Sequence, residues 1–223
     1  MLQINFICHC VLSRSYYNHL RFILICFKTS MGLKDVHNLQ VLRLNRASLS
    51  SIPTQISSLN KLEHLSLQRN DIHAVTLDFS QLKSLRTLRL SYNKLKTEDI
   101  STELFLLDEL EVLDFSHNLL TSLPSPFLAE NLLLFNLSHN QLSGLPNEFF
   151  INCSHLLHLD ISYNALTSIP IKLRRLVALK SLNLEHNPIQ TATLFTLQTL
   201  TQLETLNLGA TQRTVMRYMH SHA

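Results

Sequence analysis

Glycine is scarce in this chain, and its scarcity excludes several classes of function. The 223 residues contain only Gly32, Gly144 and Gly209, too few for the glycine-rich loops that cradle phosphates in nucleotide-dependent enzymes. The sequence also contains no nucleophile elbow, no paired zinc motif and no catalytic-cysteine signature. We therefore expect a protein that is not an enzyme and that needs no cofactor.

The chain also lacks a large excess of charge of one sign. Its net charge of +3 comes from residues 1–34, which hold Arg14, Arg21, Lys28 and Lys34 and no acid. The other 15 basic and 16 acidic residues leave residues 35–223 at 15 − 16 = −1. Binding to nucleic acid requires a concentrated basic face. The composition therefore argues against nucleic acid as the main partner.

No apolar run is long enough to cross a bilayer. The two N-terminal runs, residues 4–12 and 22–27, fall short of the roughly 20 apolar residues that a span needs. No small-residue cleavage site follows the first run, so we interpret residues 1–30 as an atypical, poorly ordered leader. Two alternatives are a signal sequence and a metal site without the second half of a zinc motif, formed by Cys8, His9, Cys10, His19 and Cys26.

A regular pattern of leucines follows the N-terminal segment, and residues 156–170 show it most clearly. Leucine or isoleucine occupies positions 156, 159, 161, 166 and 169 of the stretch LLHLDISYNALTSIP, and Asn164 stands between them. The stretch fits the pattern L-x-x-L-x-L-x-x-N-x-L-x-x-[IL]-P, which is typical of a leucine-rich repeat. One such match alone has little weight.

The same register recurs eight times, which predicts a repeat domain. Its starting leucines are separated by 23, 23, 25, 22, 24, 23 and 24 residues and are Leu39, Leu62, Leu85, Leu110, Leu132, Leu156, Leu179 and Leu203. Such repeats stack into an α/β solenoid, a curved horseshoe with a parallel sheet on the concave side and short helices or turns on the convex side. We expect this domain over residues 31–214 and a disordered tail over residues 215–223.

An asparagine recurs at the end of each predicted strand. We expect its side-chain amide to bind backbone groups in the turn that leaves the strand. The ladder consists of Asn70, Asn93, Asn118, Asn140, Asn164 and Asn187, and Ala47 and Thr211 interrupt it at the two ends. Prolines 53, 124, 146 and 170 then begin the convex segments, where no ladder hydrogen bond is needed.

Cysteine usage favours a reducing compartment. Secreted arrays of this kind usually carry disulfide-bonded caps, and neither end of this array has a cysteine cluster in cap position. A secreted or membrane-tethered recognition domain is the alternative. It predicts glycosylation of Asn136 or Asn152, which fit the acceptor pattern N-x-[ST].

Strand alternation predicts which side chains line the concave wall. All four basic residues at these positions, Arg43, Arg46, Arg69 and Arg89, fall in the first three repeats. The three acids, Asp114, Asp160 and Glu185, fall in the fourth repeat or later. The wall is therefore a dipolar strip that suits a partner of graded charge, for instance one helix of a coiled coil. Chance sorting of an ordinary solvated surface is the alternative.

The predicted partner-binding set also includes histidines and tyrosines. His64 and His158 lie on the strands, and the planar residues just after the strands are Tyr92, His117, His139, Tyr163 and His186. Tyrosine and arginine are frequent interface anchors. His117 and His139 are expected to be neighbours, which would allow a pH response or a metal site, although no third ligand is in register.

Asp, His and Ser also lie on this wall, but an open strand surface excludes no water, so we expect no catalysis there.

Several sequence segments in the array are not required by the repeat pattern. They are LNRASLSSIP, KLEHLSL, FINCSHLLHLDISYNALTSIP, RRLVALKSLNLEHNP and TQRT, which ends at Thr214. Over residues 31–214, the chain resembles the leucine-rich half of Flightless-I proteins. This resemblance implies a cytoplasmic, cytoskeleton-associated and nuclear protein that acts in actin organisation and as a transcriptional coactivator.

The same resemblance implies the kind of partner. Flightless-I repeats bind coiled-coil interacting proteins, and a Ras-like GTPase has also been named as a partner. This chain has residues 1–30 in place of the opening repeat and ends at Ala223, before the gelsolin-like modules that bind actin. Partner binding is therefore expected, and actin severing or capping is not. A regulatory subunit of a GTPase or phosphatase would look the same in sequence.

Overall fold

The chain forms a solenoid built on one parallel sheet. The computed structural model describes residues 3–7, 38–125, 127–190 and 196–211. Within them the strands follow chain order across a nine-stranded sheet: β1 Gln3–Ile7, β2 Val41–Asn45, β3 His64–Ser66, β4 Thr87–Arg89, β5 Val112–Asp114, β6 Leu134–Asn136, β7 His158–Asp160, β8 Ser181–Asn183 and β9 Thr205–Asn207. The predicted solenoid with a parallel sheet is confirmed.

Each strand pairs with the next in the register of one repeat. Leu42 lies beside Leu65, Leu65 beside Leu88 and Leu88 beside Leu113. Because equivalent positions of neighbouring repeats face one another, each consensus position becomes a column of side chains along the sheet. A surface property that depends on one consensus position therefore extends along the whole described array.

The N-terminal segment contributes a strand that the sequence did not predict. Gln3–Ile7 pairs in parallel with Val41–Asn45, so Asn5 lies beside Arg43. Ile4 and Phe6 match the apolar pair Leu42 and Leu44 of β2, but β1 begins 41 − 3 = 38 residues before β2, outside the repeat spacing of 22–25 residues. Apolar composition alone does not distinguish a strand from an unstructured leader. The candidate metal ligands Cys8, His9, Cys10, His19 and Cys26 lie outside the described residues, as does the predicted tail, residues 215–223.

Leucines and phenylalanines fill the interior between the sheet and the convex segments. The inward leucines and phenylalanine of the strands, from Leu42 to Leu182, are at most 4% exposed. Phe105, Phe127 and Phe149 form a chain of rings across three successive repeats, with centroids 4.3 and 5.4 Å apart. Continuous apolar contact between repeats is what holds a solenoid together, because no single repeat buries its own face.

Short helices form the convex side, as predicted. Within the described residues they include the 3-10 helices Thr54–Ser58, Thr97–Asp99, Thr102–Leu106 and Ile171–Arg175 and the α-helix Asn147–Asn152. Pro53, Pro146 and Pro170 stand at the N-caps of three of them, where a missing N–H costs nothing. The 3-10 form rises about 2.0 Å per residue, so a short return segment can span the repeat.

The asparagine ladder ties each repeat to the one before it. Asn118 Oδ1 accepts from the Leu95 N–H at 3.0 Å, while its Nδ2 donates to the carbonyls of Leu90 at 3.1 Å and Phe115 at 3.0 Å. Equivalent sets of bonds surround Asn70, Asn93, Asn140, Asn164 and Asn187. At the end of the ladder, the Thr211 hydroxyl replaces one of these bonds by donating to the Leu208 carbonyl at 2.8 Å.

Candidate protein-interaction surface

The predicted partner-binding residues form two adjoining rows. The strand row follows consensus positions on the concave face of the sheet and contains Arg43, His64, Arg89, Asp114, His158, Asp160 and, just beyond β8, Glu185. The second row lies just after the strands, three residues beyond the positions of Arg43, Arg89, Asp114 and Asp160. It contains Arg46, Arg69, Tyr92, His117, His139, Tyr163 and His186. The register of the sheet brings the members of each row together although they are more than 20 residues apart in sequence.

The first strands form the basic end of the concave wall. A depression of about 240 Å³ opens across β2, β3 and β4, and Arg43, His64, Ser66, Thr87 and Arg89 provide its polar lining. No acidic residue lines this depression. The depression forms where Ser66, a small and buried residue, lies between Arg43 and Arg89 of the neighbouring strands.

The last strands form the acidic end. A second depression, of about 390 Å³, is lined by residues of β6 to β9, and Asp160 is the only carboxylate among them. Asn136, His158, Asn183 and Asn207 supply most of the other polar groups. The linings of the two depressions therefore differ in charge.

Two of the predicted partner-binding acids also hold the turns. Asp114 Oδ1 accepts from the Ser116 N–H at 3.1 Å and from its hydroxyl at 2.7 Å. Asp160 and Ser162 repeat this arrangement at 3.0 and 2.6 Å. Each carboxylate thus commits one oxygen to the fold, a role that sequence reasoning missed. The recurring word [DN]-x-S was the available signal.

The second row is a continuous stack, here called the ring ladder and formed by Tyr92, His117, His139, Tyr163 and His186. Successive ring centroids are 3.9, 4.0, 4.1 and 4.2 Å apart, and all interplanar angles are 21° or less. The Arg69 guanidinium covers the outer face of Tyr92 at 4.2 Å from the ring centroid. Because the faces contact one another, the ladder presents ring edges and their polar atoms to solvent.

The ladder residues adopt an unusual backbone conformation. Tyr92, His117, His139, Tyr163 and His186 all have φ between 53° and 56°, in the left-handed region that costs roughly 1–2 kcal/mol for a residue with a side chain. Each backbone N–H donates to a carbonyl of the next repeat, for example His117 to Ser138 at 2.9 Å. The inter-repeat hydrogen bonds and the stacking offset this strain. Sequence reasoning predicted neighbouring rings but not this conformation.

Burial and neighbouring groups affect the titration of His117. Partial burial lowers the pKa of His117 below its usual value of 6.5, and His139 and Arg69 lower it further, while Asp114 opposes them. Tyr92 and His139 cover the two faces of this imidazole. The ladder therefore favours a neutral His117.

We expect acid to destabilise the fold through His117. The unfolded chain binds this proton more readily than the folded chain does, so stability falls as the pH drops below 6.5 and is unaffected well above it. His117→Tyr, which places the residue found at positions 92 and 163, should reduce the fall in melting temperature between pH 7 and pH 5. The exposed His73→Tyr is the control, and an equal reduction in both variants would contradict this role.

The two central histidines do not make a metal site. Their stacked rings direct the nitrogen lone pairs along nearly parallel planes, so both cannot point at one ion. Among the described residues, no group of three His, Cys, Asp or Glu side chains is arranged to hold a metal.

The two candidate glycosylation asparagines have structural partners. Asn136 Oδ1 accepts from the Ser138 N–H at 3.0 Å, and the half-buried Asn152 donates through Nδ2 to the Phe127 carbonyl. Both residues are therefore explained without a glycan.

Burial raises the pKa of the Cys153 thiol to about 12, so this cysteine is an unreactive core residue.

The fold and its concave wall define a class of protein, and comparison with known families agrees. A leucine-rich repeat model matches residues 37–95 and 130–189, and a second matches residues 84–107 and 109–130. The chain belongs to the leucine-rich repeat family.

Within that family, the array is similar to Flightless-1 homologues. It is 41% identical to the Caenorhabditis elegans protein over 175 residues, 43% to the mouse protein over 155 and 44% to the human protein over 123. These alignments cover 78%, 59% and 55% of the chain. The chain spans only 14%, 10% and 10% of the lengths of these relatives. The predicted resemblance to their leucine-rich half is confirmed.

Solved structures support the fold. A leucine-rich repeat protein of Leptospira interrogans matches with a TM-score of 0.64 and 25% identity, covering 81% of this chain and 51% of that one. A chain from the complex of latrophilin 3, Unc5D and FLRT2 matches with a TM-score of 0.63 and 21% identity, covering 83% of this chain and 67% of that one. Among the described residues, no helix reaches the length and apolarity needed to cross a membrane.

Proposed function

We propose that the chain is a non-catalytic scaffold whose concave wall binds an elongated protein partner of graded charge. The observation that carries this proposal is the order of charges: four arginines belong to the repeats of β2–β4, and the acids Asp114, Asp160 and Glu185 belong to those of β5–β8. An extended partner with its acidic end over the first repeats and its basic end over the last would match every step of the wall.

The length of the wall favours a helix. From β2 to β8 there are six strand steps of about 4.8 Å, or roughly 29 Å in all. An α-helix rises 1.5 Å per residue, so about 19 residues would cover this distance. The two depressions, at the first and last strands, would receive side chains from the two ends of the helix.

The likeness to Flightless-1 homologues supports a more specific proposal. The partner would be one helix of a coiled-coil protein or a Ras-like GTPase, and the cellular role would be regulation of the actin cytoskeleton and of transcription. The protein would then act in the cytoplasm, in association with the cytoskeleton, and in the nucleus. Actin binding itself would require the gelsolin-like modules named in the sequence analysis.

A matched pair of peptides tests the proposed mode of binding. We expect a helical 20-residue peptide with glutamates in one half and lysines in the other to bind at least tenfold more tightly than a peptide of the same composition with alternating charges. Isothermal titration calorimetry measures both affinities, and added salt should weaken the tighter complex. Equal affinities would contradict a wall that reads graded charge.

A further inference from the structure

The basic depression has more hydrogen-bond donors than a carboxylate can use. Arg89 and Arg43 line it from opposite sides, and the Arg89 guanidinium alone has five N–H groups. Thr87 adds a hydroxyl and His64 a ring nitrogen. An ionised carboxylate accepts about four hydrogen bonds, whereas a phosphate monoester has three strongly accepting oxygens and a charge near −2.

The spacing of the arginines suits a tetrahedral anion. They occupy the same consensus position on β2 and β4, two strand steps or roughly 9.6 Å apart. Ser66 lies between them and is 8% exposed. Its hydroxyl donates to Asn45 Oδ1 at 2.8 Å, and this bond holds the serine side chain against the sheet. The gap above Ser66 can therefore admit a group that the Arg89 fork contacts and that the positive charge of Arg43 attracts.

Nearby acids do not fill this gap. Asp114 lies beside Arg89 in the register of the sheet, but it does not line the depression. Its oxygens accept from Ser116 and, at 3.3 Å, from Gln68 Nε2. Among the described residues, Arg89 forms no ion pair.

We propose that this depression is a phosphate-binding site that receives a phosphorylated side chain near the acidic end of the partner. The inference rests on the proposed function and adds that phosphorylation controls the binding. A peptide is favoured over a membrane lipid because the site lies on the floor of a concave sheet, which a flat bilayer cannot approach. Paired guanidinium forks are the usual means by which proteins recognise phosphate.

The test uses the helical peptide with segregated charges, with one glutamate of its acidic half replaced by phosphoserine at each position in turn. At the best position, we expect calorimetry to show at least tenfold tighter binding than the glutamate parent. Arg89→Lys keeps the charge but removes the fork and should abolish this gain. Arg174→Gln with Arg175→Gln, two exposed arginines of the convex helix, should preserve it.

Three outcomes would overturn the proposal. Equal binding of the phosphoserine and glutamate peptides would remove the phosphate site while leaving the graded wall intact. Loss of the gain in the convex variant would reduce it to non-specific attraction. Tighter binding of inositol 1,4,5-trisphosphate than of the best phosphopeptide, with the same dependence on Arg89, would assign the site to a lipid headgroup. If neither peptide binds, the proposed function fails as well.

Discussion

Reversing the basic end of the concave wall is expected to weaken partner binding more than a hundredfold. The variant replaces Arg43, Arg46, Arg69 and Arg89 with glutamate, which sets like charges against the acidic half of the segregated-charge peptide. Like charges in contact cost several kcal/mol, and each 1.4 kcal/mol is a tenfold change in affinity. Calorimetry with the unphosphorylated peptide provides the measurement.

The convex surface offers a matched control for this reversal. Changing Lys83, Lys172, Arg174 and Arg175 to glutamate alters the net charge by the same amount and leaves the concave wall untouched. We expect affinity within threefold of the parent. Similar losses in the two variants would show that total charge governs binding. A reversal limited to Arg46, Arg69 and Arg89 separates binding from any structural effect of Arg43.

Removing one asparagine of the ladder should cost more stability than substituting an exposed residue. Asn118→Ala leaves the buried Leu95 N–H without an acceptor. It also removes one of the two side-chain donors from the Leu90 and Phe115 carbonyls, which keep their bonds to Asn93 and Asn140. One buried donor without an acceptor costs about 1–3 kcal/mol, and the two lost bonds to carbonyls add to this cost, so we expect a loss of about 2–4 kcal/mol in the free energy of unfolding. Urea denaturation followed by circular dichroism measures this loss.

Asn131→Ala is the matched control for the ladder. Asn131 is exposed and makes one side-chain hydrogen bond, to the Asp108 carbonyl. Its replacement should cost less than about 1 kcal/mol, because water can satisfy the freed carbonyl. A small loss at Asn118 would mean that the ladder contributes little to holding repeats together.

The fold was predictable because each repeat contains the same pattern of leucines. A spacing of 22–25 residues sets the register, and the register then decides which side chains face the core and which face the groove. The strand Gln3–Ile7 was not predictable, because it lies outside the repeat pattern and its pairing with β2 depends on long-range contact.

The placement of the candidate residues on the sheet was predictable, but their local contacts were not. The sequence places Asp114 and Asp160 on the concave wall, yet only the structure shows that each also holds a serine of the following turn. Likewise, the periodic Tyr and His residues indicate neighbouring rings, whereas the continuous stack requires the left-handed backbone at each of them. Both features depend on geometry within the turn, which composition does not encode.

The orientation of the bound helix tests the central claim most directly. A paramagnetic label on the acidic end of the segregated-charge peptide should broaden the amide signals of β2–β4, and a label on the basic end those of β7–β9. Convex amides, such as those of Ile171–Arg175, should be unaffected. Broadening that is the same for both labels, or that is centred on the convex helices, would contradict a concave wall that binds its partner by graded charge.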